Sequence, residues 1–184
     1  MSKSVEDIIS NMILVSGPSK GGKSKWAEHL LKDHIHVTYI ATAPVIEEPD
    51  WIERIQAHKR RRPPHWNIVE SPKNLAETIN IIKDSESILI DSLGFFVYNN
   101  LDQNNNEWKS SELNLIKVLK QLRNYTVIVI EETGWSPVPE TYSGNIFRDR
   151  LGSLAQSLEL ISSCSWLVVQ GRAINLHQIS TKVP

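Results

Sequence analysis

The octapeptide Gly17-Pro18-Ser19-Lys20-Gly21-Gly22-Lys23-Ser24 constrains this chain more than any other stretch, because it fits G-x-x-x-x-G-K-[ST] and joins two segments of different periodicity. Before it, Met12-Ile13-Leu14-Val15-Ser16 is a continuous apolar run that reads as a buried strand. After it, Trp26, Ala27, Leu30 and Leu31 recur at helical spacing. A strand, a glycine-rich turn and a helix in that order make a phosphate cradle. The glycines let successive backbone N–H groups curl around phosphate oxygens, and the helix N-terminus adds its partial positive charge. In such a cradle Lys23 reaches the β- and γ-phosphates and the Ser24 hydroxyl ligates Mg2+. Gly17, Pro18, Ser19, Lys20, Gly21 and Gly22 are then nucleotide-binding residues. A glycine-rich turn that binds nothing is the simpler alternative, and it leaves the coincidence of strand, motif and helix unexplained.

Four more apolar runs, Val37–Ala41, Ile88–Asp91, Thr126–Ile130 and Trp166–Val169, read as strands covered on both faces. Between the runs, helical periodicity marks Lys23–Lys32, Asp50–Arg61, Asn74–Lys83, Glu107–Arg123 and Tyr142–Ser162. The alternation predicts an α/β fold of the P-loop NTPase type. Its sheet is doubly wound and mostly parallel, with helices on both faces and ligands at the carboxyl ends of the strands. Pro63-Pro64 is expected to end the second helix. Ile174–Ser180 is expected to add an edge strand whose direction the sequence does not give. Residues 1–11 read as a polar, poorly ordered leader without the apolar core of a signal peptide, and residues 12–184 as a single nucleotide-binding domain.

Composition narrows the function. With 20 Lys+Arg against 21 Asp+Glu the net charge is -1, which argues against stable nucleic-acid binding by the surface as a whole. A single cysteine, Cys164, excludes an internal disulfide or a cysteine metal cluster and points to a reducing, cytoplasmic setting. The aliphatic runs fall far short of the roughly 20 residues of a membrane helix.

A P-loop works with a carboxylate at the end of a neighbouring strand, and Asp91 closes Ile88-Leu89-Ile90. Asp91 is therefore the second expected metal anchor and a catalytic candidate, with helix N-capping as the alternative role. Glu131 and Glu132 end the next strand and are weaker candidates for organising metal or substrate. A basic segment, Trp51 to Arg62, forms the second candidate site. In a helix Arg54, His58 and Arg62 fall at i, i+4 and i+8 on one face. Cations around His58 disfavour imidazolium, so its lone pair suits attack on a nucleotide phosphorus while Arg54, Lys59 and Arg62 stabilise phosphate charge. The residues alone leave this chemistry open beside a passive phosphate clamp, a solvated helix face or a local nucleic-acid patch.

Together these segments resemble the bifunctional adenosylcobinamide kinase/adenosylcobinamide-phosphate guanylyltransferases of the cobalamin pathway. The resemblance is carried by Ile13–Ser24, by Tyr39-Ile40-Ala41-Thr42-Ala43, and by Arg54-Ile55-Gln56-Ala57-His58-Lys59 with Arg62-Pro63 and Trp66. Leu89-Ile90-Asp91-Ser92-Leu93, Glu132-Thr133-Gly134, Val138-Pro139-Glu140 and Phe147-Arg148-Asp149 with Gly152 complete it. It implies a transferase that uses ATP or GTP with Mg2+ to phosphorylate the aminopropanol hydroxyl of adenosylcobinamide. It further implies that GTP guanylylates a histidine, matching His58, and that the GMP passes to adenosylcobinamide phosphate to give adenosylcobinamide-GDP. Arg62, Glu132 and the Glu140 loop match positions expected near nucleotide and corrinoid, and a homo-oligomer is expected. A kinase-only enzyme and a non-catalytic GTP/ATP-sensing module are the alternatives. The chain departs from the family where Lys20-Gly21 replaces a common Arg-Ser and where Glu131-Glu132 replaces Asn-Glu. It departs again after Glu140, where Thr141-Tyr142 stands in place of Asn-Arg.

Overall fold

In the computed structural model, which describes residues 11–43, 48–70 and 74–183, the aliphatic runs assemble into one seven-stranded sheet. The side chains of Asp50, Trp51, Arg54, Ala57 and His58 lie outside that description, as do residues 1–10 of the expected leader. The first half of the chain runs β1 (Met12–Gly17), α1 (Lys23–Leu30), β2 (Val37–Ala41), α2 (Pro49–Arg61), β3 (Asn67–Glu70), α3 (Leu75–Asn80) and β4 (Ser87–Asp91). The second half runs α4 (Leu93–Tyr98), α5 (Asn105–Gln121), β5 (Thr126–Glu131), α6 (Tyr142–Glu159), β6 (Cys164–Val169), β7 (Arg172–Asn175) and α7 (Leu176–Ile179).

Strand order is β3-β2-β4-β5-β1-β6-β7, and every pairing is parallel except β6 with β7. The expected mostly parallel α/β sheet is what forms, and β5 is inserted between β1, which leads into the glycine-rich turn, and β4, which ends in Asp91. Consecutive strand residues divide between two apolar layers, as the two-residue repeat of a strand requires. Met12, Leu14, Ile40, Ile88, Ile90, Ile128 and Ile130 pack against α3, α4, α5 and α6. Ile13, Val15, Val37, Tyr39, Leu89, Val127 and Val129 pack against Ala27 and Leu31, with Trp66 and Val168. Burial on both faces is why these strands read as unbroken apolar runs.

Two details differ from the sequence expectation. The last element is not a strand over 174–180: β7 covers Arg172–Asn175, and Leu176–Ile179 form a helical turn. Gln170 and Gly171, both at positive φ, make the tight reversal that turns β7 antiparallel to β6. The edge strand β3 is a further element, and three of its four residues are exposed, so no apolar run marks it. The start of α5 is set locally. Asn104 caps α5 by accepting from the backbone N–H groups of Asn106 and Glu107, while Glu107 reaches back to the Asn104 N–H. No helix among the described residues is long and apolar enough to cross a membrane.

Candidate active site

The turn from β1 to α1 is pressed onto the backbone of β6. A Cβ on Gly17, whose φ is +146°, would stand 2.1 Å from the Val168 carbonyl oxygen, and one on Gly21 would stand 2.6 Å from the same atom. No side chain fits at either position, so packing against β6 by itself demands glycine there. Gly22, at φ +109°, is the N-cap of α1 and turns the chain into the helix. The Gly21 N–H donates to the Pro18 carbonyl at 3.2 Å and the Gly171 N–H to the Gly21 carbonyl at 2.9 Å, so β7's turn braces the loop. Lys23 is buried at the first position of α1 and its Nζ donates to the Pro18 carbonyl at 2.9 Å. The ammonium thus lies against the loop it belongs to, where an anion entering the cradle would meet it.

Along the carboxyl edge of the sheet, Asp91 and Glu131 come from neighbouring strands. Asp91 ends β4 and Glu131 ends β5, opposite Gly17 in register. Their surroundings separate their roles. The Tyr39 hydroxyl donates to Asp91 Oδ2 at 2.9 Å, and the Arg62 guanidinium lies 3.5 Å from the centroid of the Tyr39 ring. Burial, and then the Asp91 charge, raise the Tyr39 pKa well above its ordinary value, with Arg62 opposing the shift, so the phenol stays a donor. Glu131, by contrast, turns to the start of α4: Oε2 accepts from the Gly94 N–H at 2.9 Å and Oε1 from the Ser92 hydroxyl. The α4 cap that the sequence offered to Asp91 is supplied instead by Glu131 from the next strand. Burial raises the Glu131 pKa and Asp91 adds to the rise, while the Ser92 hydrogen bond and the Lys23 charge oppose it.

The ends of β2 and β4 are also tied to each other. Ser92 N–H donates to Thr42 Oγ1 at 2.9 Å, the Thr42 hydroxyl donates to the Ser92 carbonyl at 2.5 Å, and the Asp91–Ser92 peptide is cis. Ser24, the second residue of α1, and Asp91 offer hydroxyl and carboxylate oxygens. These hard donors fit Mg2+, which keeps most of its waters beside one or two protein oxygens.

The basic segment is helical from Pro49 through Arg61, but Arg62 is extended, with φ -75° and ψ 142°. Arg62 therefore does not continue a column with Arg54 and His58, because the prolines that follow force the residues before them out of the helix. It turns onto Tyr39. Arg61 pairs with Glu28 of α1 through two bonds, Nη2 to Oε1 at 3.0 Å and Nε to Oε2 at 3.2 Å. The run is thus not a uniform solvated face: Lys59 and Arg60 are exposed, while Arg61 and Arg62 join α2 to α1 and β2. The Arg54 and His58 side chains fall outside the described residues. Glu132 accepts from the Gly134 N–H at 2.6 Å, and its own N–H donates to the Gly17 carbonyl at 2.9 Å, which sets its loop against the cradle. Glu140 is exposed just before α6. Tyr39 had no role assigned from sequence; the one signal for it was a hydroxyl-bearing aromatic near the carboxyl end of an otherwise aliphatic run.

The chain is similar along most of its length to one family. The family described as "Cobinamide kinase / cobinamide phosphate guanyltransferase" matches residues 13–176. The bifunctional adenosylcobalamin biosynthesis protein CobU of Escherichia coli (strain K12) is 32% identical over 180 residues, 90% of this chain and 99% of that protein. The protein of the same description from Salmonella typhimurium is 31% identical over the same shares. The bifunctional adenosylcobalamin biosynthesis protein CobP of Pseudomonas aeruginosa is 31% identical over 148 residues, 79% of this chain and 85% of that protein. Among solved structures, a prototypical ATPase from the type III secretion system of pathogenic bacteria superposes with a TM-score of 0.54 at 10% identity. That match covers 95% of this chain and 59% of the ATPase, and it is a likeness of fold alone.

Proposed function

The chain belongs to the cobinamide kinase / cobinamide phosphate guanyltransferase family, and on that premise we propose that it carries out both steps implied by that description. In the first, a nucleoside triphosphate phosphorylates the aminopropanol hydroxyl of adenosylcobinamide. The backbone N–H groups of 17–24 and the Lys23 ammonium would hold the β- and γ-phosphates, Lys23 exchanging the Pro18 carbonyl for a charged oxygen. Ser24 and Asp91 would hold Mg2+, which when bound neutralises charge on the transferring phosphoryl group. In the second step His58 attacks the α-phosphorus of GTP and pyrophosphate leaves. A phosphate oxygen of adenosylcobinamide phosphate then displaces the histidine, giving adenosylcobinamide-GDP. Arg54, Lys59 and Arg62 are assigned to nucleotide phosphate, and Glu132 and Glu140 to the corrinoid substrate. A homo-oligomer in the cytoplasm, without stable nucleic-acid binding, completes the reading.

The observation that supports the phosphoryl-transfer step is the cradle itself, and the guanylyl step rests on the family. The cradle's glycines leave no room for side chains against Val168, its lysine is buried at the mouth, and a carboxylate ends a strand along the same edge. A kinase-only enzyme is the second reading, and the loop after Glu140 favours it. There Thr141 accepts from the Gly144 N–H, and Asn145 Nδ2 donates to the carbonyls of Pro139 and Thr141, so polar side chains of this stretch serve the loop and helix start.

Incubation with Mg2+ and GTP labelled on the α-phosphate separates the two. The bifunctional reading predicts an acid-labile, base-stable protein adduct that His58→Ala abolishes. Labelling undiminished in His58→Ala would refute the histidine assignment, and no adduct in protein that binds GTP would leave the kinase-only reading.

A further inference from the structure

Tyr39 is 2% exposed and its ring is part of the smaller apolar layer, yet its hydroxyl emerges at the carboxyl edge of the sheet beside Asp91. A buried phenol needs a hydrogen-bond partner, and any acceptor would satisfy it. Here the acceptor is the carboxylate assigned to the metal. The ring is clamped from its other side, because the Arg62 guanidinium lies on its face at 3.5 Å. Among the described residues Arg62 Nε is buried with no hydrogen-bond partner, so no bond from that atom to a described acceptor fixes the guanidinium there. Nor does the sheet need the Tyr39–Asp91 bond to hold together. β2 and β4 are already paired in register from Val37↔Ser87 to Ala41↔Asp91, and Thr42 and Ser92 exchange two hydrogen bonds just beyond.

We propose that Tyr39, clamped beneath Arg62, is a positioning residue of the nucleotide site whose hydroxyl fixes the orientation of the Asp91 carboxylate for the metal. The inference rests on the assignment of Asp91 as an Mg2+ anchor. A carboxylate on a single Cβ–Cγ bond rotates, and each rotation away from the productive orientation is lost affinity. A donor fixed to one oxygen removes that freedom before the ion arrives. Residues that orient a metal's ligands in this way typically change metal affinity about 10- to 100-fold when removed. Because α2 ends one residue before Arg62, the clamp also joins the end of the His58 helix to the metal anchor.

The test is Tyr39→Phe, which keeps the ring and its stack on Arg62 and deletes only the hydroxyl. Binding of a fluorescent ATP analogue to the full chain is titrated with Mg2+, and measured again in chelator without Mg2+. The proposal predicts a Mg2+ midpoint raised by about tenfold with chelator-state affinity unchanged. A midpoint equal to that of the native protein overturns it. So does a parallel loss of binding in chelator, which would make Tyr39 a support of the cradle as a whole. Asp91→Asn in the same titration separates the two levels. If Asp91→Asn shifts the midpoint and Tyr39→Phe does not, only the positioning role falls. If Asp91→Asn leaves the midpoint unmoved, Asp91 is not the anchor and both ideas fall.

Discussion

The two faces of the sheet are built from the same strands and solve different problems. The layer under α3, α4, α5 and α6 is chiefly aliphatic, and the charges buried near it are paired. Arg150 donates to the Asn100 and Gln103 carbonyls at 2.9 and 2.7 Å and lies over Trp108, and Glu112 accepts from Lys109 at 3.0 Å. The layer under α1 is smaller and richer in aromatic groups. On this side the indole N–H groups of Trp26 and Trp66 and the Nε of Arg62 are buried without partners among the described residues. A buried polar group left unpaired costs about 1–3 kcal/mol, and the larger side carries that cost too, at Gln103 Oε1 and Asn124 Oδ1. The smaller side is the one on which the cradle, Tyr39 and Arg62 lie. The contrast teaches that apolar burial is concentrated on one face, while the other mixes aromatic rings with cations and hydroxyl donors.

If that division is right, damage to the larger layer should cost stability and leave ligand affinity alone. Leu154→Ala, which empties a fully buried site on α6, should lower unfolding free energy by about 2–5 kcal/mol in urea denaturation. Nucleotide affinity of the folded fraction should be unchanged, and an affinity that falls in step with stability would break the comparison. The Tyr39→Phe change makes the opposite demand: a lower apparent Mg2+ affinity with little loss of unfolding free energy.

The smallest effect is expected at Glu131, which ends β5 and bonds the start of α4. Burial raises its pKa, so the folded chain holds that proton more tightly than the unfolded chain does. Its contribution to stability is present below the ordinary carboxylate range and is lost as pH rises through the raised value. Gln at this position, like the protonated carboxyl, has one acceptor and one donor side. Glu131→Gln should therefore gain on the native protein in urea midpoint as pH rises above the ordinary carboxylate range. A difference that is flat or falls as pH rises would contradict the sign.

Legibility followed burial. The central strands were readable because each is covered on both faces, and the cradle because strand, glycines and helix adjoin in sequence. The edge strand β3 was not, since Asn67, Ile68 and Glu70 are exposed and only Val69 is partly covered. In the site, Asp91 could be placed at a strand end from sequence, but its partner could not, because Tyr39 is 52 residues away and meets it only through the β2–β4 pairing. The cap that Glu131 gives α4 was hidden for the same reason, being made across strands. Arg62 was misplaced on the His58 face because helical spacing was carried one residue too far, past the point where Pro63 ends the helix.

The central claim is that one chain carries phosphoryl transfer at the cradle and guanylyl transfer at His58 as separable steps. The most direct test is product analysis of His58→Ala supplied with adenosylcobinamide, Mg2+, ATP and GTP. The account predicts that adenosylcobinamide phosphate accumulates at the native rate and that no adenosylcobinamide-GDP forms. Formation of adenosylcobinamide-GDP by the variant, or loss of phosphorylation together with guanylylation, would contradict it.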